Sequence, residues 1–252
     1  MELKKMKFID LFAGIGGFRY ALESFGCKCV FSSEWDKYCQ ESYNLNFGEI
    51  PYGDITKIDE KDIPNFDILC AGFPCQPFSI SGKQKGFEDT RGTLFFDIVR
   101  IVSYHKPKII FLENVKNLKA HNGGATFEVI SNTLDSLNYN IYYKVLNAKD
   151  FNLPQNRERI TIVCIRKDID NEKFKFPEPS KKFVTISDIK EDDSITDKYI
   201  LNRKDIHIDE KKLNDAIKNG RVIYSNIKKA ISYILVIHMP IAKWYRNNSS
   251  CF

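Results

Sequence analysis

Short apolar runs alternate with amphipathic stretches along the first two-thirds of the chain. Six runs have the length and composition of buried strands, at residues 7–12, 28–33, 66–71, 109–112, 139–146 and 160–165. Between them, apolar side chains recur at helical spacing, most clearly over residues 18–25, 93–104 and 125–137. Strands separated by helices of this length predict an α/β fold, in which helices cover both faces of a mostly parallel sheet.

The pattern weakens after the last predicted strand. Pro177 and Pro179 indicate a linker, and residues 186–218 are rich in Lys and Asp with little periodicity. We therefore expect a first domain over residues 1–176, a linker and the start of a second region over 177–218, and an atypical basic tail over 219–252.

The net charge of +5 does not by itself indicate a nucleic-acid-binding surface. Residues 219–252 hold five basic side chains and no acidic one, and the other 33 basic side chains are balanced by the 33 acidic ones. Composition alone therefore favours a short basic tail over a DNA-binding stripe.

The seven cysteines include no C-x-x-C pair, and their number is odd. No signal peptide opens the sequence, and no apolar run approaches the ~20 residues of a membrane span. We expect a cytoplasmic protein with free thiols, no bound metal and no membrane contact.

Residues at the first two predicted strand ends, and a Gly-Asp-Ile segment before the third strand, suggest a nucleotide pocket. The glycine-rich segment 10–17 (DLFAGIGG) joins the first strand to a helix, and Glu34 ends the second strand, where dinucleotide folds place an acid on ribose hydroxyls. Trp35 offers a stacking surface, Asp54 an acceptor and Ile55 an apolar wall. Each has a simpler explanation, namely a tight turn, a surface acid, a core aromatic or a helix cap. Together they predict an adenosine pocket.

The third and fourth predicted strand ends carry groups suited to chemistry. Cys75 lies between Pro74 and Pro77 just after a buried strand, which is an irregular setting that suits a thiolate nucleophile better than a core thiol. Glu113 ends the next strand and is either a proton donor or a cap on the following helix.

Two arginines and a glycine-containing loop complete the candidate site. Arg157 and Arg159 occupy alternate positions before the last strand, so both side chains should point the same way and bind a phosphate or a base edge, unless they form an ordinary surface cluster. Residues 79–93 contain three glycines and mixed charge, as expected of a loop that closes over a substrate.

Seven motifs in order resemble those of DNA cytosine-5 methyltransferases: DLFAGIGGF, SEW, GD, GFPCQPFS, RGTLF, ENV and QNRER. The resemblance covers roughly residues 7–165, and its specificity lies in the order and spacing of the motifs. It implies a Rossmann-like methyltransferase sheet, S-adenosylmethionine as methyl donor, and a cytosine flipped out of double-stranded DNA as acceptor.

The resemblance also implies a role for each matching residue. Cys75 would attack cytosine C6, Glu113 would hydrogen-bond or protonate N3, Arg159 would hold O2, and Arg157 would help to position the site. The residues expected at the cofactor are Phe12, Gly14, Gly17, Glu34, Trp35, Asp54, Ile55 and Pro74. Those expected at the DNA are Gln76, Ser79 and Ser81.

The sequence departs from the family pattern after the core motifs. A target-recognition region, an arginine-containing motif and a G-N-S-V-type segment are not recognisable in residues 166–252. We expect either a truncated gene with an unrelated tail, which the change in composition favours, or one chain of a split enzyme whose partner supplies the recognition domain.

Three rival functions stay open on the sequence alone. The chain could be a catalytically incomplete remnant that still binds the cofactor, or an RNA cytosine-5 methyltransferase on the same scaffold. A dehydrogenase is disfavoured, because PCQP and ENV have no role in hydride transfer.

Overall fold

A six-stranded sheet forms the centre of the computed structural model, which describes residues 4–74, 94–180 and 184–189. The strands are β1 (Lys7–Leu11), β2 (Lys28–Ser33), β3 (Ile68–Gly72), β4 (Ile109–Val115), β5 (Tyr139–Asn147) and β6 (Glu158–Arg166). The α-helices are α1 (Gly17–Ser24), α2 (Lys37–Phe47), α3 (Leu94–His105), α4 (Ala125–Ser136) and α5 (Ile186–Ile189). Short 3-10 helices cover Ile55–Lys57, Glu60–Asp62, Lys116–Lys119, His121–Gly124 and Ala148–Phe151.

The sheet is mostly parallel, as the sequence predicts. Its strand order is β2-β1-β3-β4-β6-β5, and β1 pairs in parallel with β2 and β3, as β3 does with β4. Strand β6 runs antiparallel to both β4 and β5, which the sequence did not indicate. Five of the six described strands therefore share one direction, and the α/β fold class is confirmed.

Helices cover both faces of the sheet, again as predicted. On one face, Ile9 and Leu11 of β1 belong to the large buried cluster that includes the apolar sides of α3 and α4. On the other face, Phe8 belongs to a second cluster against which Phe18 and Leu22 of α1 pack. The alternation of side chains along β1 thus buries each face of the strand under a different layer.

Two strand boundaries differ from the sequence expectation and affect the site. Strand β4 continues to Val115, and β6 begins at Glu158. Glu113 and Arg159 therefore lie within strands, whereas the sequence placed them beyond the apolar runs. The backbone ladder continues there, since Val115 pairs with Arg159.

Helix α2 was not predicted. Its start is marked by Asp36, whose carboxylate accepts a hydrogen bond from the backbone N–H of Cys39 at 2.9 Å, and Gly48 ends it with a left-handed φ of +72°. Among its residues only Tyr43 is buried. A helix with one buried residue leaves almost no apolar periodicity, so only its caps could have revealed it.

The chain divides into two units, residues 1–184 and 185–252. The sheet and helices α1 to α4 belong to the first unit. Most of the second lies outside the described residues, so the expected boundaries at 176 and 218 stay predictions. No helix of the described ranges is long and apolar enough to cross a membrane.

A buried arginine joins the first two helices beneath the glycine-rich loop. The Arg19 guanidinium pairs with Glu23 and Glu49 at 2.8 Å each and donates to the Tyr43 hydroxyl at 3.2 Å. It also lies 4.6 Å from the centre of the Phe47 ring. Because Arg19 is buried, these partners are needed to offset its desolvation, and they hold α2 against α1.

The close approach of these helices predicts an unequal cost for two glycine substitutions. Gly16 (φ +92°) and Gly48 (φ +72°) both adopt left-handed conformations at helix ends. A Cβ at Gly16 would overlap the Phe47 ring, whereas one at Gly48 would meet no atom within 4 Å. Gly48→Ala should lower the free energy of unfolding by about 1–2 kcal/mol, the cost of the conformation alone. Gly16→Ala should cost roughly 1–3 kcal/mol more.

Urea denaturation of both variants, followed by circular dichroism, measures the difference. Gly48→Ala is the matched control, because it carries the conformational penalty without the collision. Equal destabilisation by the two substitutions would show that the Phe47 contact does not constrain the loop.

Candidate active site

A cavity of about 610 Å³ lies where the first three strands end. Phe12 follows β1, Glu34 follows β2 and Phe73 follows β3, and all three line it. Parallel strands bring their carboxyl ends to one edge of a sheet, where α/β proteins bind ligands. The volume is in the range of small-molecule sites, roughly 300–1,000 Å³.

Most of the residues expected at a cofactor line this cavity. They are Phe12, Glu34, Trp35, Asp54, Ile55 and Pro74. The two expected glycines do not line it: Gly14 donates its backbone N–H to Glu34, and Gly17 begins α1. Further lining residues, which were not among those expected at the cofactor, are Ser33, Gly53, Thr56, Gly72, Phe73 and Leu94.

Glu34 is fixed by two backbone donors. Its Oε2 accepts a hydrogen bond from the N–H of Gly14 at 2.8 Å, and its Oε1 accepts one from the N–H of Asp36 at 2.9 Å. The residue is only 8% exposed. It is therefore not a surface acid, and each carboxylate oxygen keeps a lone pair for a hydroxyl of a ligand.

Trp35 is 80% exposed although it lines the cavity. The alternative that Trp35 is a core aromatic is therefore wrong. Ile55 supplies a second apolar part of the wall and is buried. An exposed indole beside a cavity is suited to stack on a flat ring, because burial of its face would remove apolar surface from water.

Asp54 caps a 3-10 helix and also faces the cavity. Its Oδ1 accepts hydrogen bonds from the backbone N–H and the hydroxyl of Thr56, at 3.0 and 2.8 Å. These bonds hold the pKa of the Asp54 carboxyl below its usual value. The helix-cap explanation is thus correct for Oδ1, and the ionised carboxylate still offers Oδ2 as an acceptor to an amine.

The wall of the cavity also contains an unpaired hydroxyl. Ser33 is buried and lines the wall, and its Oγ has no hydrogen-bond partner in the described part of the chain. Buried hydroxyls are seldom left unpaired, but this oxygen is itself inaccessible and so is not offered to a ligand in the cavity. The acceptors on Glu34 and Asp54 and the exposed indole of Trp35 nevertheless fit a nucleoside that carries hydroxyls, an exocyclic amine and a flat base.

A charge cluster lies at the ends of β4 and β6. Arg159 Nε is 3.0 Å and Arg157 Nη2 is 3.4 Å from the same atom, Glu113 Oε1. Both arginines therefore point the same way, as the sequence predicts, and Glu113 pairs with them instead of capping a helix. Glu113 is 29% exposed at its side chain and so remains accessible to a ligand.

The other oxygen of Glu113 faces the end of β3. Gly72 pairs with Glu113 in the ladder, and a Cβ added at Gly72 would lie 3.7 Å from Glu113 Oε2. Cys75 follows three residues later in the chain. Cys75, Gln76, Ser79 and Ser81 lie outside the described residues, as does the expected closing loop.

The described cysteines are poor nucleophiles. Burial, assisted by the charges of Glu34 and Asp36, raises the pKa of Cys39 to about 11, and burial also raises that of Cys29 to about 11. Burial alone or chiefly raises the pKa values of Cys27, Cys70 and Cys164. All five thus stay protonated near neutral pH. The described ranges also contain no cluster of His, Cys, Asp or Glu that could hold a metal ion.

Comparison with known proteins identifies the family of the chain. The family model of C-5 cytosine-specific DNA methylases matches residues 6–250. The chain is 57% identical to the type II methyltransferase M.HhaI of Haemophilus parahaemolyticus over 205 residues, which are 81% of this chain and 63% of that protein. It is 51% identical to M.HaeII of Haemophilus aegyptius over 241 residues, 95% of this chain and 70% of that one.

A solved structure shares the fold. A prophage-encoded protein of E. coli named as a DNA modification methyltransferase superposes with a TM-score of 0.58 at 24% identity, over 73% of this chain and 54% of that one. The match of the family model extends past residue 165, where the recognisable motifs end. The chain spans 63% of the length of M.HhaI. On the extent of the family match and the identity to these relatives, the chain belongs to the family of C-5 cytosine-specific DNA methylases.

Proposed function

We propose that this chain transfers a methyl group from S-adenosylmethionine to C5 of a cytosine in double-stranded DNA. The observation that carries the proposal is the position of Glu113. It is paired with Arg157 and Arg159 and lies against Gly72, at the strand end that leads into Cys75. The acid and the two cations thus lie beside Gly72, which lines a nucleoside-sized cavity together with Pro74, and the proline-flanked Cys75 follows Pro74 in the sequence.

The residues of the cavity fit the nucleoside of the cofactor. Glu34 would accept the ribose hydroxyls, Asp54 the adenine amine, and Trp35 with Ile55 would contact the faces of the ring. Phe12 and Pro74 would form further parts of the wall around the cofactor. When bound, S-adenosylmethionine supplies an electrophilic methyl group on a cationic sulfur.

The chain's own groups make the cytosine ring reactive. C5 of cytosine is too weak a nucleophile to accept a methyl group directly, and addition of the Cys75 thiolate to C6 turns C5 into the carbon of an enamine. Glu113 would hydrogen-bond or protonate N3, so that N3 can accept the electron density that moves through the ring. Arg159 would hold O2. Loss of the C5 proton to a base and expulsion of the Cys75 thiolate then restore the aromatic ring.

The substrate must leave the DNA helix to reach these groups. C5 and C6 of a stacked base are inaccessible to a thiol in a pocket, so the cytosine would be flipped out. Gln76, Ser79 and Ser81 follow Cys75 in sequence and are proposed to contact the DNA around the extruded base. Relatives named as type II methyltransferases support a restriction–modification role, and a second chain that supplies sequence recognition remains part of the proposal.

Replacement of the proposed nucleophile should abolish the reaction. Cys75→Ala should show no transfer of a tritiated methyl group to DNA and no covalent complex with duplexes containing 5-fluorocytosine, because no C6 adduct can form. Denaturing gel electrophoresis of the trapped complex is the measurement.

Cys39→Ala is the matched control, since burial and neighbouring acids keep that thiol protonated. It should trap DNA at the wild-type rate. Trapping by Cys75→Ala would refute the assignment of Cys75 as the nucleophile. Methylation of RNA in place of DNA would refute the assignment of DNA as the substrate.

Removal of the exposed indole should weaken cofactor binding. Trp35→Ala should raise the Kd for S-adenosylmethionine by the equivalent of ~1–3 kcal/mol, the usual loss when an aromatic side chain stacked on a base is truncated. Isothermal titration calorimetry without DNA measures it. Tyr38→Ala is the control, because Tyr38 is 77% exposed on the neighbouring helix and does not line the cavity. If both variants bound S-adenosylmethionine with equal affinity, the proposed contact between Trp35 and the cofactor would be wrong.

A further inference from the structure

The end of β3 is held by a side chain where the backbone ladder stops. The last ladder pair between β3 and β4 joins Gly72 to Glu113. The next residue on β4 is Asn114, whose Nδ2 donates a hydrogen bond of 2.9 Å to the backbone carbonyl of Phe73. Pro74 has no N–H, so the ladder cannot continue through it. Asn114 therefore adds one more link to the sheet by means of its amide.

The orientation of this amide is fixed at both ends. Asn114 is 2% exposed, and its Oδ1 accepts a hydrogen bond from the N–H of Val115 at 2.8 Å. Oxygen and nitrogen therefore have distinct partners, and an exchange of the two would place a carbonyl oxygen against a carbonyl oxygen. The position thus requires a side chain that donates to the Phe73 carbonyl and accepts from the Val115 N–H.

Phe73 is held on its other side as well. Its ring is buried in the core and lies 5.8 Å from the ring of Phe95 in α3, centre to centre. Ring packing and the carbonyl bond together determine the path of the chain into Pro74. Cys75 is two residues beyond the fixed carbonyl, and Glu113 is the immediate neighbour of Asn114.

We propose that Asn114 is a positioning residue, whose buried amide fixes the start of the Pro74–Cys75 segment relative to Glu113. The expected effect on the reaction rate rests on the proposed function, in which the Cys75 thiol and the Glu113 acid act on C6 and N3 of the same ring. A misplacement of about 1 Å in such a pair can reduce a rate by roughly 100-fold. Asn114 is itself buried and does not line the cavity.

The test uses Asn114→Asp, which has nearly the same shape and a titratable donor. When protonated, the introduced acid can donate to the Phe73 carbonyl, and when ionised it cannot. A buried carboxyl has a raised pKa, so the donor should persist in mildly acidic solution and be lost as the pH rises. Asn114→Ala lacks the donor at every pH. Asn117→Asp, an exposed position in the following 3-10 helix, is the matched control.

Two rates are measured for each variant between about pH 5.5 and 8.5. The first is covalent trapping on long duplexes of mixed sequence that contain 5-fluorocytosine, with S-adenosylmethionine present. The second is alkylation of Cys75 by iodoacetamide without DNA, followed by peptide mass spectrometry, with Cys39 as the internal reference.

The expected result is a pH-dependent defect confined to Cys75. Relative to wild type at the same pH, Asn114→Asp should trap DNA within about threefold at the acidic end and at least about tenfold more slowly at the basic end. Asn114→Ala should be slow throughout, Asn117→Asp should match wild type, and Cys75 alkylation should change while Cys39 alkylation does not. Unchanged S-adenosylmethionine affinity by calorimetry separates this effect from loss of folding.

The proposal and the proposed function fail in different ways. If Asn114→Asp and Asn114→Ala fold, trap DNA and alkylate Cys75 as wild type does at every pH, the positioning role is refuted. If the wild type traps no DNA while Asn114 still controls Cys75 alkylation, the methyltransferase function is refuted and the positioning of the segment stands.

Discussion

Two backbone N–H groups that converge on the carboxylate of Glu34 organise the cofactor half of the site. One comes from Gly14 in the loop after β1 and the other from Asp36 at the start of α2. A nearly buried carboxylate is stable only when its oxygens are paired, so the acid, the loop and the helix start must adopt one arrangement together. The left-handed turn at Gly16 and the Arg19 contacts under it hold the same elements from below.

The part of the site that contains Glu113 and Arg159 depends on the pairing register of the strands rather than on a single hydrogen bond. Parallel pairing of β3 with β4 places Gly72 beside Glu113, and antiparallel pairing of β6 with β4 places Arg159 beside Val115. The acid and its arginine therefore come from neighbouring strands, whose spacing is fixed by backbone hydrogen bonds. Precise placement of reacting groups is easier on strands than on loops, and here Glu113 and Arg159 both lie within strands.

The sequence predicted the fold class and the cavity-lining acids and aromatics because these depend on strong local signals: apolar runs, glycines at a turn, and charged residues at strand ends. It missed α2, since only Tyr43 of that helix is buried. It also missed the antiparallel β6, because strand direction depends on long-range pairing. Ser33 and Asn114 escaped notice since a buried hydroxyl or amide is recognised by the partners it lacks or finds in three dimensions.

The central claim is that Glu34 binds the ribose of S-adenosylmethionine, and a thermodynamic cycle tests it most directly. Calorimetry would compare S-adenosylhomocysteine with its 2′-deoxy and 3′-deoxy analogues on the wild type and on Glu34→Gln. The account predicts that removal of the hydroxyl bound by Glu34 costs the wild type ~1.5–3 kcal/mol and the variant clearly less, because the charged hydrogen bond is already gone. Equal losses on both proteins for both analogues would contradict it.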